Sequence, residues 1–238
     1  MSPEGSGRRD RADGSYNPSR LRWGMFGRSV AAQLIGGLPS LMELRGRYVV
    51  LRLLRVEDAE LTLRWRMGQR ASLLNVGATT VAEQAAWIGS RPANELNFMI
   101  ELASGQPVGM LSLVGIDRVN GRAEPARFLI GEPDAVRGIP AAVEAMKLLY
   151  ELAFDQLHLV RVYGTVVADN PLMLKWQKFL GMKDEGCLRR HYLLGGVYRD
   201  AICVGMLEDE YRAIALPRMN ALIGAAPVRE TGPIRRTP

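Results

Sequence analysis

Cysteine and histidine are almost missing from this chain of 238 residues: Cys187, Cys203, His158 and His191 are all it has. None of them stands in a C-x-x-C spacing or beside a second histidine. The sequence therefore offers no pattern for a zinc site, and no metal is expected. The two cysteines are read as buried free thiols of a protein in a reducing cytoplasm. A hairpin centred on Gly195-Gly196 would also set them face to face in one of its registers. Long apolar runs are missing as well. Residues 21–41 come nearest, but Arg28 interrupts them and Gly24, Gly27, Gly36 and Gly37 thin them out, so no membrane span is expected. No internal repeat is visible.

A surplus of one charge sign over the body is also lacking. The net charge of +6 and pI near 9.6 invite a nucleic-acid reading. Residues 1–42, however, hold six Arg against three acids, and residues 224–238 three Arg against one. That leaves 22 basic and 21 acidic residues for 43–223. The basicity belongs to the ends, and no nucleic-acid partner is expected.

With 47% hydrophobic residues the chain can bury one sizeable core. Residues 1–42 read as a largely disordered extension, since 1–20 combine Gly, Ser, Pro and charge with little to bury. Residues 21–41 could dock as a short helix, and Met42 is an alternative start. The domain is placed at 43–215, and 216–238 as a tail. Residues 48–54 read as a strand, followed by a helix charged at its start by Glu57 and Asp58. Thr80 and Glu83 form a capping box ahead of a helix over 81–88. Three strands follow, at 97–102, 107–113 and 122–130, with turns at Ser104-Gly105-Gln106 and Asn120-Gly121. Pro125 removes a ladder donor inside the third strand, which predicts a bulge or break near Glu124. Residues 159–167 read as a buried strand, and Asn170-Pro171 as the start of a helix ending at Gly181. A closing hairpin spans 187–194 and 198–207, and Pro217 is expected to kink or end a last helix over 208–223.

The stretch from Gly131 to Phe154 organises the rest. An apolar run ends at Ile130, a loop of about ten residues rich in Gly and Pro follows, and then Val143, Met146, Tyr150, Ala153 and Leu157 recur at helical spacing. Connections of this kind usually take roughly 2–6 residues, so a longer one holding a single Arg is a candidate anion-binding loop at a helix N-terminus. The same residues also fit a plain surface loop with Pro140 at the first helical position.

This order of elements resembles the GNAT superfamily of acyl-CoA-dependent N-acyltransferases over about 44–210. Within it the chain is most similar to the branch of Rim-type ribosomal-protein and bacterial amino-sugar N-acetyltransferases. Four stretches carry the likeness: Glu43-Leu44-Arg45-Gly46; Leu63-Arg64-Trp65-Arg66, similar to the amino-sugar enzymes' tryptophan–arginine pair; 131–154; and Asn170 through Leu180-Gly181-Met182. The resemblance implies an α/β fold: a mixed, mostly antiparallel seven-stranded sheet with helices on both faces. It also implies acetyl-CoA as co-substrate and a primary amine as acceptor, most simply an amino sugar or other small molecule, with a homodimer as the further expected partner. Protein N-terminal acetylation and non-catalytic acyl-CoA binding are the alternatives.

Coenzyme contacts are implied for Leu129 and Ile130 at the strand end and for Arg137, Gly138, Ile139, Ala141 and Ala142. These last five lie on the family's Gln/Arg-x-x-Gly-x-Gly/Ala loop, in which Pro140 replaces the middle glycine and cannot donate. Asn170 matches the asparagine that opens the helix along the pantetheine arm, and Gln177 stands where many members have a tyrosine acid. For chemistry, the amine must lose a proton: Glu124 is the first candidate base and His191 the second. Tyr192 and Tyr163 are the substitutes for the missing tyrosine. Acceptor selection is assigned to 67–80 and 189–199.

Overall fold

The computed structural model describes residues 43–75 and 77–225; the expectations for 1–42 and 226–238 lie outside them. Eight strands form one sheet: β1 (Glu43–Arg45), β2 (Val49–Leu53), β3 (Leu96–Leu102), β4 (Pro107–Asp117), β5 (Arg122–Ile130), β6 (Arg161–Val167), β7 (Lys183–Leu194) and β8 (Val197–Leu207). Their order is β1-β2-β3-β4-β5-β6-β8-β7, antiparallel throughout except for the β5–β6 pair. The strand beyond the expected seven is β1, whose three residues are too few for alternation to show.

Neighbouring residues of the central strands feed opposite cores, as a pleated strand requires. Phe98, Ile100, Leu111, Leu113 and Ile130 join one large cluster under α3 (Ala141–Glu151). Met99, Met110 and Leu129 join Trp65 and Ala71 on the other face, under α1 (Ala59–Met67). Helices thus cover both faces. Beside α1 lies α2 (Val81–Gly89), tied to it by the Gln84 side-chain amide donating to the Thr62 hydroxyl at 3.0 Å. After β6 comes α4 (Pro171–Phe179). The chain leaves β8 through α5 (Glu208–Glu210), a π-helical turn over Tyr211–Ala215 and α6 (Leu216–Ala225). Pro217 does not end this run: the chain stays helical through it, directly after the π-helical turn over Tyr211–Ala215, where the regular i→i−4 bonding is already interrupted. Met219 is fully buried, so the packed body reaches past residue 215. No helix among the described residues is long and apolar enough to cross a membrane.

Local signals account for most boundaries. Thr80 Oγ1 accepts from the Glu83 N–H at 3.2 Å while Glu83 accepts from the N–H of Thr79 and Thr80, a complete capping box. Gly195 and Gly196 both take positive φ between the paired Leu194 and Val197, the two-residue turn whose twist suits a hairpin. In that register Cys203 faces Gly186, not Cys187, and both thiols are free; Cys187 is exposed, against expectation. Pro140 is the N-cap of α3, one position earlier than expected.

One long-range clamp fixes α3 against the sheet. The buried Glu144 carboxylate accepts the N–H of Arg47, Tyr48 and Val49 at 2.8, 2.6 and 2.8 Å. A Cβ at Gly46 would stand 2.5 Å from that carboxyl, which gives Gly46 a packing reason.

Candidate active site

The sheet opens between β5 and β6. They pair only at Arg122↔Arg161 and Ala123↔Val162, after which the strands part. Distortion of β5 accompanies the split. Pro125 follows at once, and two β5 residues, Arg127 and Phe128, stand opposite Leu111 alone, a bulge in which Arg127 takes φ of +54°. A non-glycine residue at that φ needs support. Arg127 has it: its guanidinium donates to Glu95 at 3.0 and 3.3 Å and to Asn97 Oδ1 at 3.1 Å, and stands over the Trp87 ring. The irregularity expected near Glu124-Pro125 is present on both sides of that pair: this bulge follows it, and a second register shift precedes it, where Gly115 and Ile116 of β4 stand opposite Ala123.

A cavity of about 660 Å³ fills the split. Five expected site residues line it together: Glu124 from β5, Asn170 and Gln177 from the start and body of α4, and His191 and Tyr192 from β7. Glu124 is the first residue past the last β5–β6 pair, and its Oε1 would lie 3.5 Å from a Cβ at Gly164. Burial pushes its carboxyl above the usual range, opposed by the Thr165 N–H and the charges of Arg127 and His191. The Tyr192 hydroxyl is hydrogen-bonded to Thr165, and the His191 ring meets the Tyr192 ring edge-on at 4.7 Å. Both are brought inward by a second bulge, where Arg189, Arg190 and His191 oppose Asp200 alone and Arg190 takes φ of +52°. Its N–H is held by Asp200 at 2.7 Å. Tyr163 is outside the cavity lining, with Arg122 and Arg161 over its ring.

Asn170 caps α4 by accepting from the Met173 N–H at 3.1 Å. Gln177 is buried with Oε1 unpartnered. A buried acceptor of this kind suits an amide N–H of an extended ligand arm, the kind coenzyme A carries. Trp176 stacks on Phe128 at 5.1 Å, as a packing residue.

The other expected coenzyme residues are not in the cavity lining. The Leu129 and Ile130 side chains are buried in the two opposite cores, which leaves only their backbones to meet any ligand. Arg137 is 81% exposed and paired with Asp134 at 2.7 Å. Its own N–H and that of Ile139 bond within the loop, to Asp134 O and Val136 O. Gly138 takes φ of +80°. The first bond of α3 is Glu144 N–H to Pro140 O, which leaves the N–H groups of Ala141, Ala142 and Val143 with no acceptor inside the helix. Ala141 is fully buried, so of these only Ala142 and Val143 are open to a phosphate, and Pro140 has no donor to add.

Helix α1 holds the start of that loop. The Trp65 indole N–H and the Arg64 guanidinium both donate to Glu132, at 2.8 and 2.9 Å, and Arg70 Nε donates to Ile130 O at 3.0 Å. The indole presses on Gly131, where a Cβ would come within 2.2 Å of the ring. Arg66, from the tryptophan–arginine pair, lines the cavity too, and residues not singled out from the sequence complete it: Gln84, Trp87, Arg127 and Thr165. The 67–80 segment assigned to selection does contribute, through Leu73, Asn75, Gly77 and Ala78.

Known proteins match this arrangement. A model of the acetyltransferase (GNAT) domain matches residues 49–183. Spermidine N(1)-acetyltransferase of Escherichia coli (strain K12) is 31% identical over 120 residues, half of this chain and 62% of that protein. The chain therefore spans about three-fifths of the length of that relative. A GCN5-related N-acetyltransferase from Brucella melitensis superposes with a TM-score of 0.65 at 25% identity, over 77% of this chain and 86% of that one. A point mutant of the SpeG spermidine N-acetyltransferase from Vibrio cholerae shares the fold, with a TM-score of 0.60 at 20% identity over 69% of this chain and 96% of that one. With the family model covering more than half of its residues, and with the opened β5–β6 pair in place, the chain belongs to the GNAT acetyltransferase family.

Proposed function

We propose that this protein moves an acetyl group from acetyl-CoA to a primary amine of a small molecule, with an amino sugar as the favoured acceptor. The observation that carries the reading is the position of Glu124, a desolvated carboxylate at the point where β5 leaves β6, facing a cavity of suitable size for a small ligand. Acetyl-CoA supplies an activated thioester carbonyl. What this chain supplies is placement and proton handling. The N–H groups of Ala142 and Val143 receive phosphate, with Arg137 swinging from its exposed pair with Asp134 to add charge. Gln177 and the Asn170-capped helix line the arm. Glu124 takes the ammonium proton, directly or through a water, with His191 as second candidate and Tyr192 as the group able to protonate the departing thiolate. That thiolate also tolerates departure unprotonated, since a thiol has a reference pKa of about 8.5.

Cys187 and Cys203 as free thiols suit a cytoplasmic protein. A homodimer would form along the exposed edge of β7. The test of function is a thermal-shift and thiol-release panel of acetyl-CoA, longer acyl-CoAs and free CoA with amines. Ligand at 100 times its Kd adds about 2.7 kcal/mol, a shift of roughly 5–10 °C for a domain of this size. No shift with any coenzyme overturns the reading; a shift without thiol release from any amine leaves a binding protein only.

A further inference from the structure

Five charged or titratable side chains line the cavity: Arg66, Glu124, Arg127, His191 and Tyr192. Their partners differ. Arg127 is matched by the Glu95 carboxylate. Glu124 is the carboxylate assigned to the amine. Arg66, half-buried at the end of α1, donates to a neutral backbone oxygen, Asn75 O, at 2.7 Å, and among the described residues no carboxylate pairs with it. Its guanidinium also lies against Gly77, within about 3 Å of where a Cβ would be. Two features make this an uncomfortable place for a cation: burial strips its water, and Arg127 is a like charge close enough to be felt, both disfavouring the charged form. A guanidinium stays protonated regardless, so the cost persists until an anion meets it.

We propose that the acceptor carries an acidic group, a carboxylate or phosphate, which Arg66 binds while Glu124 receives the amine. This rests on the acetyl-transfer reading of the cavity and narrows its substrate class. A polycation of the spermidine type is the wrong complement, because it offers no anion to Arg66 and brings extra positive charge toward Arg66 and Arg127. Arg66 also follows Trp65, which is occupied with Glu132, so the two residues of the tryptophan–arginine pair divide their work. One props the coenzyme loop, and the other faces the acceptor.

The test compares matched probes that differ only in the acid: butylamine with 4-aminobutyrate, and glucosamine with glucosamine 6-phosphate, with spermidine as the polycation. Binding is measured by calorimetry on the protein saturated with free CoA, and turnover by thiol release from acetyl-CoA. The acid-bearing member of at least one pair is expected to bind tenfold or more tighter than its partner, and spermidine most weakly. Arg66→Gln abolishes the preference, Arg66→Glu reverses it toward spermidine, and both leave acetyl-CoA affinity within twofold. A merely structural Arg66 would lower affinity for all probes alike. Equal or tighter binding of the neutral amines or of spermidine overturns the proposal while leaving acetyl transfer intact, as does an acid preference that survives Arg66→Glu. Failure of every probe to bind also overturns it. Loss of acetyl-CoA binding in the wild type would instead remove the reading beneath.

Discussion

Replacing Glu144 by Ala should cost more stability than any other single polar change in the domain. Its carboxylate is 4% exposed and accepts three backbone N–H groups at 2.6–2.8 Å across almost a hundred residues of sequence. Arg47 is exposed enough for water to replace the lost acceptor, but Val49 is fully buried and Tyr48 largely so. Two charge-assisted bonds at ~1.5–3 kcal/mol each, with their donors left unsatisfied, give a loss of about 3–6 kcal/mol. For a domain of 150–250 residues this lowers Tm by roughly 6–24 °C. Glu144→Gln should fall between, because its amide keeps one acceptor but turns an NH2 toward a donor. Gly46→Ala adds a sharper check. Alone it drives a methyl into the carboxyl; combined with Glu144→Ala the clash is gone, so the two costs should not add. Urea and thermal unfolding of the four proteins close the cycle. A Glu144→Ala loss under about 1 kcal/mol, or strict additivity with Gly46→Ala, would refute the clamp.

Other outcomes follow from the same geometry. Gly131→Ala must displace the Trp65 indole and with it the Glu132 contacts, so apparent coenzyme affinity should fall severalfold while the fold, followed by circular dichroism, persists. Arg137→Ala should weaken coenzyme binding roughly tenfold to a hundredfold, the scale of one charge-assisted bond of ~1.5–3 kcal/mol. Pro140→Gly should bind equally or more tightly, having gained a donor, yet melt lower; a wild-type constant in Arg137→Ala would move the pyrophosphate elsewhere. Gln177→Ala should lower kcat by less than tenfold, because an amide gives no proton, whereas loss of a true general acid costs ~10²–10⁴. A thousandfold drop with the fold intact would contradict that.

How much could be read beforehand depended on sequence distance. The Thr80–Glu83 box, the Asn120-Gly121 and Gly195-Gly196 turns and the α3 periodicity are local, and each is present in the structure. The expected seven strands missed β1 because three residues carry no alternation. The cavity is harder, since its walls come from β5, β6, β7 and the α1–α2 region. Tyr163 and Tyr192 are alike as residues, but only Tyr192 faces the cavity. A period of two cannot be carried across the β7 bulge at Arg189-Arg190-His191, so no count along that strand could have told the two apart. Arg66 stood inside a noted motif, yet its lack of a carboxylate is a fact of tertiary packing. Arg137 shows the reverse: its loop was conspicuous, while its side chain faces solvent.

The central claim is that the carboxylate at the mouth of the β5–β6 split takes the proton from the amine. The most direct measurement is the pH dependence of kcat/KM for acetyl transfer in the wild type and Glu124→Gln. Burial raises the Glu124 carboxyl above its ordinary value, and it acts ionised, so wild-type kcat/KM should rise with pH through that raised value, on top of the rise from free amine. In Glu124→Gln the rate should drop by ~10²–10⁴ and the lower rise should vanish, leaving only the amine's own. A variant that keeps both the rate and the two-step profile would contradict the account.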